Sequence, residues 1–140
     1  MKTMLQNAIK LSALLMILIV SAAAQTSAKV TVPFAFKVGT KTLPAGEYRI
    51  EPVSQNFTEL LALRDGGGAR RVVIHGVREE LLKSESHARL VFNRYGDDYF
   101  LAQIWPSEGS SGVSLLKSQL ERELAASGAD VRETQVAMGN

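Results

Sequence analysis

The stretch Ala88–Trp105, ARLVFNRYGDDYFLAQIW, constrains this chain more than any other part of it. It reads as two strands around a tight turn, and it holds Phe92, Tyr95, Tyr99, Phe100 and the sole tryptophan, Trp105. Directly opposed residues of an antiparallel pair share one face of the sheet. A two-residue loop at Gly96-Asp97 would pair Phe92 with Leu101 and Leu90 with Gln103, mixing polar side chains into the inner face. A three-residue loop, Tyr95-Gly96-Asp97, pairs Phe92 with Phe100, Leu90 with Ala102 and Ala88 with Ile104. That face is wholly apolar. The opposite face then holds His87 with Trp105, Arg89 with Gln103, Val91 with Leu101 and Asn93 with Tyr99. A slip of one residue exchanges the faces, so the clean separation predicts the three-residue loop, with Gly96 supplying a positive φ.

The N-terminus has a different character. Lys2 and Lys10 precede the apolar run Leu11–Val20, and Ala22 and Ala24 form an A-x-A pattern before Gln25. This is the layout of a secretory signal peptide over residues 1–24, with cleavage after Ala24 expected and Ala28 as the alternative site. The run is short of the roughly 20 apolar residues that a membrane span needs, so no stable span is expected after cleavage. Of 16 basic residues, two lie in 1–24, which leaves 14 basic against 14 acidic in the remainder. A net charge of zero gives no basic footprint for nucleic acid. The chain has no cysteine, so stability in an oxidising compartment must come from an ordinary core.

The remainder reads as one β-rich domain, residues 25–127. Lys29–Val38 alternates, with Val30, Val32, Phe34, Phe36 and Val38 on one face, and Pro33 marks an edge or a bulge. Leu43-Pro44-Ala45-Gly46 is a turn into a strand with Tyr48 and Ile50 inward. Phe57–Arg64 and Ala69–Val77 form a hairpin across Asp65-Gly66-Gly67-Gly68. Val77–Ser86 is polar and reads as a loop or short helical turn, and PSEGSSGVS after Trp105 reads as a connector. Ser118-Gln119-Leu120-Glu121 is a capping box opening a helix that ends near Ala126, before Gly128. Residues 128–140 lack periodicity and are expected to be disordered. The expected fold is mainly β, an antiparallel β-sandwich or partly closed barrel of about seven strands with one C-terminal helix.

The segments VPFAF (Val32–Phe36), LPAGEY (Leu43–Tyr48) and RLVFNRYGDDYFLAQIW (Arg89–Trp105), followed by ERELA (Glu121–Ala125), occur in one order along most of this remainder. In this the chain resembles a group of small, exported bacterial proteins with a signal peptide and a single β-rich domain. The resemblance implies export, periplasmic or extracellular, and a compact β domain, and it transfers no catalytic residue.

Sites of chemistry are sparse. His75 and His87 show no metal-ligand spacing, Asp97-Asp98 suits a turn with a charge pair to Arg94, and no serine lies in Gly-x-Ser-x-Gly. Hence no catalytic residue, metal or cofactor is expected, and the chain reads as a non-enzymatic binding or structural module. An unidentified envelope or extracellular macromolecule would be its partner. The candidate binding face is the second face of the central hairpin: Trp105, Tyr99, Leu101, Val91, Arg89 and Gln103. The competing reading covers this face with the helix, through Leu116, Leu120 and Leu124. Two further readings are a carrier with an apolar cavity lined by Phe34, Phe36, Phe92 and Phe100, and, last, a hydrolase.

Overall fold

The computed structural model describes residues 27–54, 56–80, 87–107 and 111–139. The expected signal peptide lies outside these residues. Among them are ten strands and one helix: β1 (Ala28–Val32), β2 (Phe36–Val38), β3 (Lys41–Leu43), β4 (Gly46–Ser54), β5 (Phe57–Asp65), β6 (Arg71–Glu79), β7 (Arg89–Tyr95), β8 (Asp98–Trp105), β9 (Gly112–Leu115), α1 (Gln119–Ala126) and β10 (Val131–Ala137). The fold is mainly β, with more strands than expected.

Strand alternation builds one core. The chain expected as a single strand at Lys29–Val38 is split by Pro33: β1 pairs with β4, and β2 with β3 and β8. Pro33 therefore marks a change of strand partners within the sheet, while the alternation survives, with Val30, Val32, Phe36 and Val38 all buried. The strand order is β1-β4-β5-β6-β9-β8-β2-β3, with β7 and then β10 on the other edge of β8. Both ends of this order feed the same cluster, including Val32, Ile50, Leu63 and Ile74 from one side and Phe36, Leu90, Phe92, Leu101 and Ile104 from the other. The sheet is thus folded over its own core. It is not closed: among the described residues β1 and the chain just after β10 pair at one isolated bridge, where Lys29 and Gly139 exchange two backbone hydrogen bonds of 3.0 and 3.2 Å.

Two expected connectors are strands. Gly112–Ser114, placed in the PSEGSSGVS connector, belongs to β9, which pairs with both β6 and β8. Residues 128–140, expected to be disordered, contain β10, whose seven residues pair with β7 from Val131↔Tyr95 to Ala137↔Arg89. Its half-buried residues are Thr134 and Val136 only, too few to show a period, and the partner edge of β7 supplies the ladder that the local pattern does not advertise. The domain therefore runs on to Gly139.

The turn Leu43–Tyr48 is closed by its own tyrosine. The Tyr48 hydroxyl donates to the Pro44 carbonyl, and its ring meets Phe36 edge-on at 5.3 Å. This is a tyrosine-corner arrangement, which satisfies a turn carbonyl beside a buried ring. Burial pushes the Tyr48 phenol above its usual range; Arg70 opposes this shift and Asp65 adds to it. The folded state therefore holds this proton more tightly than the unfolded chain does. Its contribution is complete below the ordinary phenol pKa near 10 and is lost as pH rises toward the folded value. Tyr48→Phe should cost about 1–2 kcal/mol at pH 7, through the unpartnered carbonyl. In urea titrations, the gap between the two proteins should narrow above about pH 10. A gap constant with pH would contradict the assignment.

Candidate functional site

The central hairpin differs from its expected register. Its turn is the two-residue loop Gly96-Asp97, with Gly96 at φ 59° and pairs Tyr95↔Asp98, Arg94↔Tyr99, Asn93↔Phe100 and Phe92↔Leu101. A positive φ at the first loop residue only is the sign pattern of a type II′ turn. Beyond Phe92 the register shifts, giving Val91↔Gln103, Leu90↔Ile104 and Arg89↔Trp105, with Ala102 as the extra residue of a β-bulge. The bulge reverses the parity of β8. Leu101 and Ile104 therefore both face the core, whereas Phe100, Gln103 and Trp105 face away from it.

This divides the candidate face. Trp105, Gln103, Val91 and Arg89 share one side of the hairpin; Tyr99 and Leu101 lie on the other, in or against the core. In the first group Arg89 and Gln103 are half-buried, while Val91 and Trp105 are buried. Trp105 is 3% exposed, with its indole lying over Gly112, where an added Cβ would come within 2.6 Å of the ring. Its Nε1 donates to Gln103 Oε1 at 3.1 Å, and Gln103 Nε2 donates to Glu79 Oε2 at 3.3 Å. The Arg89 guanidinium stands 5.4 Å from the ring centre. The indole and both ends of the Gln103 amide are thus engaged within the fold.

Helix α1 meets this face through Glu121, while of its expected leucine stripe only Leu124 is half-buried. Ser118 caps it, accepting from the Glu121 amide at 3.2 Å, as the capping box predicts. The Glu121 side chain turns inward, is 3% exposed, and accepts from Asn93 Nδ2 at 2.8 Å. Leu120 and Leu116 remain 46% and 78% exposed. A hydrogen-bonded carboxylate thus holds the position that the leucine stripe was expected to take.

The cavity expected for a carrier is filled. Phe92 meets Phe34 at 5.1 Å and Phe36 at 5.3 Å, both edge-on, and Phe34 stacks on Tyr99 at 3.8 Å. Phe100 lies on the opposite face, against Tyr95. His75 and His87 are both exposed, and no cluster of three or more His, Asp or Glu able to hold a metal occurs among the described residues. Asp97 pairs with Arg94 at 3.7 Å, as the turn chemistry suggests, while Asp98 pairs with Lys37.

The open surface lies elsewhere, where β3 and β6 diverge. β6 pairs with β5 through Arg71–His75 and with β9 only from Gly76 onward, so among the described residues one edge of Arg71–His75 has no ladder partner. The outer edge of β3 is unpaired as well. Between them lies a groove of about 270 Å³, lined by residues 38–41 and 72–75 together with Leu115 and Leu116. A second groove, of about 440 Å³, shares Gly39 and Thr40 with the first and runs between Lys37, Thr42 and helix α1, past Leu120 and Glu123. Val73, Leu116 and Leu120, three of the large exposed apolar side chains, thus gather around one turn. The sequence carried one signal for this place: Gly76 inside a β-branched run, the mark of a close backbone approach. Comparison with protein-family models, curated proteins and solved structures finds no match to the chain.

Proposed function

We propose that this protein is an exported, non-enzymatic β module that binds another macromolecule, with the paired grooves about Gly39-Thr40 as its contact surface. One observation carries the reading: exposed Val73, Leu116 and Leu120 gather around that turn, while interlocking rings fill the interior. Apolar groups gathered on a surface suit contact with a partner, and a filled core does not suit carriage of a ligand. Export is supported by Lys2, Lys10, the run Leu11–Val20 and the Ala22-x-Ala24 site. Among the described residues no helix is long and apolar enough to cross a membrane.

A photo-crosslinking residue at Leu116 should give a discrete, saturable adduct in the envelope or medium fraction. The same residue at Glu133, exposed on β10, should not. Equal, unsaturable labelling at both positions would remove the contact surface. Full-length chain retained in the cytoplasm would remove export.

A further inference from the structure

The geometry points to strand addition: the groove between β3 and β6 accepts an extended segment of a partner protein in which apolar residues alternate with acidic ones. This rests on the binding-module reading above and specifies the partner's chemistry. The first ground is the backbone. Among the described residues Arg71–His75 and Lys41–Leu43 each present one unpaired strand edge, and Val72–His75 from the one and Lys41 from the other line the same groove. A row of unpaired N–H and C=O groups is a template for another strand, and edge addition is a common mode of peptide recognition. The unpaired edge of β6 is five residues long, about 16 Å of strand.

The second ground is how differently the free edges are composed. Charged and amide side chains of Arg132, Glu133 and Gln135 run along β10, a composition that discourages pairing. The β6 edge instead carries Val72-Val73-Ile74. Such a run left unprotected is a hazard unless something pairs with it.

The third ground is charge and alternation. Val72 and Ile74 are buried and face inward, while Val73 and His75 are exposed and face outward. A strand laid beside them would put alternate side chains against apolar and solvent-facing neighbours. Lys41 and His75 line this groove, and among the described residues no carboxylate does. Acidic groups on the outward positions of the incoming strand complement that lining; basic ones do not.

The test uses the domain beginning at Gln25 and fluorescein-labelled octapeptides: alternating Val/Glu, alternating Val/Lys, a scrambled Val/Glu peptide, and Val/Glu with alternate amides N-methylated. Anisotropy should show the Val/Glu peptide binding at least tenfold tighter than the scrambled or N-methylated forms. Lys41→Glu/His75→Glu, both at exposed positions, should lose that binding and favour Val/Lys, at an unchanged melting temperature. Equal affinity for the scrambled and alternating peptides overturns the proposal, as does indifference to N-methylation. Pairing of this edge with a second copy, seen as a concentration-dependent dimer that the Val/Glu peptide does not dissociate, overturns it too. A saturable adduct at Leu116 alongside failed peptides would leave the contact surface standing and remove only strand addition.

Discussion

Phe92→Ala is expected to lower stability by about 3–5 kcal/mol, the range for emptying a buried phenylalanine site. Phe92 is fully buried, its ring touches Phe34 and Phe36 edge-on, and its strand is paired on both sides by β8 and β10. The site has little freedom to collapse, because β7 itself is held by a ladder on each side. A domain of ordinary stability holds only about 5–15 kcal/mol in all, so the variant should unfold at a far lower denaturant midpoint with a similar slope. The result also bears on ligand carriage. If the rings lined a space instead of filling it, truncation would enlarge an existing void and cost less. A loss under about 1.5 kcal/mol would therefore reopen the carrier reading.

The hairpin shows how far pattern reasoning reaches and where it stops. Its position, its two strands and the positive φ of Gly96 were all legible, because turn chemistry is local. Its register was not. The parity argument assumed one apolar face and an unbroken period of two, but in β7 and β8 both faces are covered: Leu90, Phe92 and Leu101 by the core, Tyr95, Phe100 and Trp105 on the other side. When both faces are buried, side-chain polarity no longer chooses between them, and a bulge at Ala102 can reset the register without exposing anything apolar. The same limit explains α1. Its cap and length follow from Ser118 and Glu121, but its docking side follows from Asn93, 28 residues away in sequence. Of the leucines that looked like the buried stripe, Leu116 and Leu120 are exposed and Leu124 is half-buried. β10 and the groove were invisible for a further reason: each depends on pairing between distant strands. The local sequence held a single trace of that, a glycine inside β6.

That glycine supports the second strong expectation. Gly76 continues the inward series of Val72 and Ile74, yet an added Cβ would stand 2.4 Å from the Ser114 carbonyl oxygen and 2.5 Å from Val113 Cγ1. One of these obstacles is backbone, so no rotamer change relieves it, and β9 must move by about an ångström. Moving it strains Gly76–Glu79 against Gly112–Leu115, where β6 passes from one half of the sheet to the other. Gly76→Ala is therefore expected to cost about 3 kcal/mol or more, the upper range for overpacking. The sign matters, because alanine for glycine in an unobstructed strand normally gains about 0.5–1 kcal/mol. Gly67→Ala, with nothing within 4 Å of its added Cβ, is the matched control and should be near neutral. If Gly76→Ala stabilised the protein in thermal melts, β9 could not approach this closely. The free edge of Arg71–His75 exists because β6 takes up β9 only from Gly76 onward, so a stabilised alanine variant would also undercut the groove. A destabilised variant that still folds in the cold should bind the alternating Val/Glu peptide more weakly, since the groove begins one residue away, at His75.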